Sequence, residues 1–295
     1  MSNAQLSLTP DTSPSGAWRN LLPNGPVDLV ASRVFDRELF SVLTWCCVLL
    51  VGLAADIICQ FMGWLPEHAV VTACIFPVMT IPVMVRILKL GDRGGTPIPC
   101  RPAIWGSAFI ILAAMMDLGC TLMMSPMLED EGNIYLRRLL DAGCAIESVY
   151  VYIFITQVLF VSMFVIVWVS FLQHYPLLVQ SIVVSDPQTP VEFLKSATGG
   201  AHLTWRQWII PLRPSEVPLL YHCFWFAAVG VIFGISIFRY YAALEWLSIV
   251  PVSIEGRIMT ASLGIAGSLL SYLYILHQES RYQIRQATIR AHSGQ

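Results

Sequence analysis

The sequence predicts an all-α integral membrane protein, built as a six-helix transmembrane bundle. Of the 295 residues, 56% are hydrophobic and only 12% are charged, and six apolar stretches are each long enough to cross a bilayer. A soluble domain carries about 25% charged residues, and the hydrocarbon core of a bilayer requires about 20 consecutive apolar residues per helix. Most of the protein surface is therefore expected to face lipid.

The transmembrane domain is expected to cover residues 37–280. Its second span contains Pro77 and Pro82, which predict a kink. Its fourth span is longer than one crossing requires, so its first turns, with Asp141 and Glu147, are expected above the hydrocarbon or along a cavity. The six spans are predicted at about 39–64, 69–90, 103–128, 139–172, 217–242 and 258–277.

Three segments outside the spans complete the chain. Residues 1–36 are polar and rich in Pro, Ser and Asn, which predicts a mobile tail without a cleaved signal peptide, and residues 281–295 form a second tail. The long loop 173–216 is expected to be an interfacial elbow rather than a separate domain or a lid. Within it, Thr189 and Pro190 predict the N-cap and first residue of a short helix.

The distribution of Lys and Arg predicts the orientation. Thirteen of the 17 Lys and Arg residues lie in or next to the two tails and the loops after the second and fourth spans, while Arg137, Arg138, Arg239 and Arg257 fall on the other side. Because cytoplasmic loops carry the excess of positive charge, both termini are expected in the cytoplasm, with the bundle in the cell (inner) membrane. No basic block suggests nucleic acid, and the eight cysteines contain no C-x-x-C pair that would indicate a redox or zinc motif.

Two aspartates inside apolar spans are the main candidates for function. Asp56 is followed four residues later by Gln60, and Asp117 is followed at the same spacing by Thr121. Each pair shares a helix face, and a carboxylate at membrane depth usually faces a partner or a cavity. If the two faces meet, their oxygens could hold a proton, Na⁺ or Mg²⁺. Alternatively, each aspartate hydrogen-bonds within the bundle and keeps the helices in register.

The Asp117 hairpin carries a longer motif. Asp117 and Thr121 are followed by Glu131 and Asn133. On these residues, positions 108–143 resemble a family of uncharacterised prokaryotic membrane proteins with a helical hairpin, an in-membrane Asp, a Thr four residues on and an acidic-x-Asn-Pro loop. The chain departs from that pattern at Ile134, which stands in place of the Pro. The resemblance implies that the four residues act as a unit, and it implies no reaction.

A soft-ligand stripe also runs along the third span. Met116, Cys120, Met123 and Met127 recur at spacings of 4, 3 and 4 residues and share one helix face. Thioether and thiol ligands suit Cu(I), but methionine is also a common filler of apolar gaps. Copper is not expected, because no histidine accompanies the stripe in the spans.

Small residues mark faces for close helix contact in the last two spans. Gly230 and Gly234 have GxxxG spacing, and Gly264 and Ser268 lie on a small-residue stripe. Such faces allow helix backbones to approach within one chain, or between chains of a homo- or hetero-oligomer.

Three functions fit these features. Ion-coupled or small-solute transport follows from the buried carboxylates, with the lipid bilayer as the partner. A structural or accessory subunit of a membrane complex is an alternative, since the sequence contains no G-x-S-x-G, H-E-x-x-H or P-loop motif. The third is a metal-dependent intramembrane enzyme, in which carboxylates hold a divalent metal and Arg137 and Arg138 contact the phosphate of a lipid-linked substrate. Glu147 is a further candidate for the cation, proton or substrate site around the two aspartates.

Overall fold

The computed structural model of the chain describes residues 33–61, 69–92, 98–128, 134–185, 187–197 and 217–293. These ranges contain α-helices and no strand, which confirms the all-α prediction for this part of the chain. The helices are α1 (Arg33–Phe61), α2 (Ala69–Asp92), α3 (Cys100–Met124), α4 (Ile134–Asp141), α5 (Ile146–Ser185), α6 (Pro190–Ala197), α7 (Val217–Trp246) and α8 (Ile254–Ser293).

Four helical segments in the described ranges are long and apolar enough to cross a membrane. They are Cys100–Met124, Ile146–Pro176, Cys223–Trp246 and Ile254–Arg290. Large apolar side chains cover their outer faces; Trp105 and Met123, for example, are 75% and 81% exposed. Apolar surface on this scale is stable against lipid rather than water. The chain is thus an all-α membrane protein, while the count of six spans stays a prediction.

The chain divides into two compact units. The first, here called the span unit, comprises Arg33–Pro176 and Cys223–Tyr272. The second draws on Leu177–His222 and Leu273–Gln295.

The second unit has its own apolar core and contains α6. Leu178, Ile182, Phe193 and Leu276 are buried there, and the rings of Phe193 and His277 meet edge to face at 5.0 Å. α6 begins at Pro190, as the Thr-Pro pair predicts, because the residue before it is a good N-cap.

A glycine separates α4 from α5. The sequence suggested one stretch over 139–172, but Gly143 adopts φ +79°. Its N–H donates to Leu140 O at 2.9 Å, and the Cys144 N–H donates to Leu139 O at 3.0 Å. This pair of bonds is a Schellman motif, which ends a helix where glycine takes up the left-handed conformation. α4 is therefore a short separate helix before the long crossing of α5.

The small residues of α7 and α8 pack against each other within the span unit. A Cβ atom on Gly264 would lie 3.2 Å from Gly234 O, and one on Gly234 would lie 3.0 Å from the backbone of Ile265. A Cβ on Gly230 would collide with the Leu269 side chain. Ser268 donates from Oγ to Gly264 O at 2.7 Å. These residues thus form an intrachain contact, and an oligomer through the same faces stays a prediction.

Aromatic contacts fix α3, α5 and α7 in the span unit. Trp168 of α5 lies directly over Gly106 of α3, where a Cβ would collide with its indole, and it donates from Nε1 to Pro102 O at 3.1 Å. Tyr240 of α7 donates from its hydroxyl to Phe109 O of α3, also at 3.1 Å. These two bonds hold α3 between α5 and α7. Tyr240, which makes the second bond, directly follows Arg239 in α7.

Candidate functional site

A cavity of about 650 Å³ lies in the span unit, among α3, α4, α5, α7 and the first turn of α8. This volume falls in the range of small-molecule sites, about 300–1,000 Å³. The wall is amphipathic. Its polar residues are Asp117, Thr121, Gln157, Glu245, Ser248 and Arg257, and its apolar residues are Leu118, Leu136, Ile153, Phe238, Ala242, Trp246 and Val252.

An apolar cluster supports the α4 side of the cavity. Leu136 and Ile153 belong to both the wall and this cluster, whose other buried members include Leu128 and Val149. Leu128 is buried although its φ is 56°, and its N–H donates to Ser125 O at 2.9 Å. A non-glycine residue in this region costs about 1–3 kcal/mol, so the surrounding packing must hold the turn in place.

α3 supplies Asp117 and Thr121 to the wall. They lie one helical turn apart on the face that looks into the cavity, with Thr121 buried and Asp117 half-buried. Asp117 and Thr121 therefore both line the cavity from one face of this helix.

An arginine from α7 lies within electrostatic range of Asp117. Arg239 interacts electrostatically with Asp117 and donates from Nη1 to Gln157 Oε1 of α5 at 2.6 Å. Three helices thus contribute to one polar group at span depth. Charges in a membrane interior are costly unless opposite charges and hydrogen-bonding groups lie near them, which accounts for the grouping of Asp117, Gln157 and Arg239.

An ion pair between α7 and α8 forms part of the cavity wall. Glu245 accepts from Arg257 Nε at Oε2, at 2.7 Å, and from the Ser253 N–H at Oε1, at 3.4 Å. Ser253 in turn caps α8 by accepting the Gly256 N–H at 2.9 Å. The turn also contains Ser248 in the left-handed region, with φ 57°. We name the Glu245, Ser253 and Arg257 arrangement the α7–α8 clamp.

The two partners of the clamp differ in exposure. The Glu245 side chain is 2% exposed, whereas the Arg257 side chain is 43% exposed. Arg257 Nε donates to Glu245, and the two Nη groups of Arg257 have no hydrogen-bond partner among the described residues. A guanidinium has five N–H donors, so four remain for an occupant of the cavity.

The structure brings together only part of the predicted acidic site. Glu147 lies in the first turn of α5, where it is exposed and takes no part in the cavity wall. Asp56 and Gln60 lie on α1, but their side chains are outside the described residues, as are Glu131 and Asn133. The distance between the Asp56 and Asp117 carboxylates is consequently outside them too.

The other predicted site residues lie away from the cavity. Arg137 and Arg138 are on α4, which contributes Leu136 instead to the wall. Met116 and Met123 are exposed on α3, Met127 is exposed in the turn that follows it, and Cys120 is half-buried. Among the described residues, no group of three or more His, Cys, Asp or Glu side chains could hold a metal ion. The outward methionines form an apolar face suited to lipid contact.

Sequence reasoning missed four residues of the site. Gln157 and Arg239 are polar residues within apolar helices, which is the signal that had singled out Asp117. Glu245 and Arg257 fall just outside the predicted spans 217–242 and 258–277, but the structure places them in the last turn of α7 and the first turn of α8. Their pairing depends on a turn geometry that no motif encodes.

The comparisons with known proteins found no match for this chain among protein-family models, curated proteins or solved structures. The resemblance of residues 108–143 to a hairpin family stays a prediction.

Proposed function

We propose that this membrane protein binds a small organic solute in the cavity and carries it across the cell (inner) membrane. The observation that carries the proposal is a cavity of about 650 Å³ among membrane-spanning helices, whose wall includes Asp117, a residue that interacts electrostatically with Arg239. A carboxylate at this depth costs insertion free energy, and such residues mark substrate or ion pathways.

The size and lining of the cavity favour an organic solute over a bare cation. A bound Ca²⁺ needs six to eight oxygens at about 2.3–2.6 Å, in a site of much smaller volume. Here Phe238, Trp246 and five aliphatic side chains line the wall beside the polar groups. Asp117 is the place where a coupling proton or Na⁺ would act, because a change of its charge would alter its interaction with Arg239.

The charge distribution supports an orientation. With thirteen of 17 Lys and Arg in or next to the tails and the loops after the second and fourth spans, both termini lie in the cytoplasm. α3 then runs outward, and the cavity opens toward the outer half of the membrane.

The test is uptake into proteoliposomes with a matched pair of variants. Labelled amino acids, short peptides, betaines, sugars and organic cations are offered in turn to the purified full chain. Asp117→Asn should lower the initial rate for the transported solute by about tenfold or more, the effect of about 1.4 kcal/mol. Asp141→Asn is the control, because Asp141 is exposed at the end of α4 and outside the cavity wall.

Each outcome decides the proposal. Selective loss of uptake in Asp117→Asn supports it. Equal uptake by both variants, or no uptake of any solute by the unaltered protein, contradicts it. In the latter case, a partner that co-purifies with the chain would favour an accessory subunit instead.

A further inference from the structure

Two carboxylates and one guanidinium line the cavity, from Asp117, Glu245 and Arg257. Arg257 forms an ion pair with Glu245. Arg239 lies outside the wall but interacts electrostatically with Asp117, so the four groups together sum to zero. An occupant with a net charge would meet one set of these groups with the wrong sign, whereas a neutral molecule with separated charges would complement both.

Arg257 provides the positive end. It lines the cavity from the first turn of α8, and its Nη groups are the donors left over from the clamp. A carboxylate accepts such a pair of N–H bonds in bidentate geometry. The positive end of the α8 dipole adds to the attraction. Glu255 is in the same turn, but it is exposed and not part of the wall.

Asp117 provides the negative end. Its carboxylate can accept more than one donor, so an ammonium group can bind it beside Arg239. The Thr121 hydroxyl lies one turn along α3 as a further acceptor. Phe238 and Trp246 complete the wall with aromatic rings, which also attract cations.

We infer that the solute is a zwitterion with an apolar body, its carboxylate bound by Arg257 and its ammonium group bound by Asp117. The inference rests on the proposed solute-binding function of the cavity. The apolar body would lie against Leu118, Ile153 and the neighbouring apolar wall. An apolar amino acid and a short apolar peptide share this chemistry, and they differ in the separation of their charges.

The test is calorimetric binding to the full chain in nanodiscs, with empty nanodiscs as the blank. Two series of probes are used: leucine, N-acetylleucine and leucinamide, then Leu-Leu, N-acetyl-Leu-Leu and Leu-Leu amide. Within each series the body is kept while the ammonium or the carboxylate is removed. At least one zwitterion should bind about tenfold or more tightly than both of its singly charged analogues, and the series in which this holds identifies the charge separation.

Variants assign each end of the ligand. Arg257→Gln should abolish the preference for the zwitterion over the amide, and Asp117→Asn should abolish the preference over the acetylated acid. Arg257→Gln leaves Glu245 without its partner, so the double variant Glu245→Gln/Arg257→Gln is measured as well. It should show the same loss of preference for the zwitterion over the amide. Arg101→Gln is the control, since Arg101 is exposed in the first turn of α3 and lies outside the wall.

The inference is overturned if neither zwitterion binds, if a singly charged analogue binds as tightly as its zwitterion, or if the preference survives both cavity substitutions. Zwitterion binding without uptake into proteoliposomes would contradict transport and leave this inference intact. Uptake restricted to a solute that is not a zwitterion would contradict this inference and leave transport intact.

Discussion

The α7–α8 clamp should respond unequally to the loss of its two partners. The perturbations are Glu245→Gln, Arg257→Gln and the double substitution, each of which replaces a charged side chain with a neutral polar one. The asymmetry follows from exposure, because the Glu245 side chain is 2% exposed and the Arg257 side chain 43%.

The magnitudes follow from what each substitution leaves behind. In Glu245→Gln, the amide oxygen can still accept from Arg257 Nε, and the half-exposed guanidinium can regain water, so we expect a loss of about 1 kcal/mol in the free energy of unfolding. In Arg257→Gln, a carboxylate stays buried with the Ser253 N–H at 3.4 Å as its remaining described partner. Removing one partner of a buried pair costs about 3–5 kcal/mol, and we expect about 3 kcal/mol here because Glu245 borders the cavity and water can reach it.

The double substitution tests the reasoning directly. Two amides can hydrogen-bond to each other without a buried charge, so the loss should return to about 1 kcal/mol, with a coupling free energy of about 3 kcal/mol between the sites. The assay is equilibrium unfolding in mixed micelles, followed by tryptophan fluorescence. Equal losses in the two single variants, or additive losses in the double variant, would refute the account of the clamp.

Two further predictions concern helix packing and capping. Gly234→Ala should lower the unfolding free energy by about 1–3 kcal/mol, measured in the same assay, because its Cβ would meet the Ile265 backbone; Gly267→Ala, with nothing within 4 Å of its Cβ, should be neutral or slightly stabilising. The Gln188 and Thr189 N–H groups lower the pKa of Glu192 below its ordinary value of 4.5, so the cap stabilises α6 at neutral pH and is lost as the pH falls below about 4.5 through the folded-state pKa. Amide exchange in α6 should then accelerate relative to the rest of the chain in acid, and Glu192→Gln should remove this dependence; an identical profile in the variant would contradict it.

The sequence predicted those features that depend on local pattern. Long apolar runs predicted helices at the observed crossings, and Thr189-Pro190 predicted the start of α6. The division at Gly143 was missed because a single glycine is tolerated within a helix until packing selects its left-handed conformation. The local sequence pattern therefore predicts where helices form better than where they end.

The partners in the candidate site could not be predicted in the same way. The spacing of Asp117 and Thr121 fixes their common face, since both lie on one helix. The electrostatic interaction of Asp117 with Arg239, and the hydrogen bond from Arg239 to Gln157, depend on how α3, α5 and α7 are rotated against each other. That rotation is set by contacts such as Trp168 over Gly106, which are far apart in the chain. Composition shows that an intramembrane charge needs a partner, but it does not identify which one.

The two faces of α3 connect the candidate site to the membrane. Met116 and Met123 lie on its exposed side, while Asp117 and Thr121 face the cavity. A rotation of α3 that brought the methionines inward would carry the Asp117 carboxylate toward lipid, away from Arg239, at a cost of several kcal/mol. The same carboxylate that is a candidate ligand therefore also fixes the orientation of its helix. For this reason a loss of uptake in Asp117→Asn must be interpreted together with the ligand preference. A variant in which α3 has rotated would lose affinity for the zwitterion, the acetylated acid and the amide alike. The loss of an ammonium contact would instead remove only the advantage of the zwitterion over the acetylated acid.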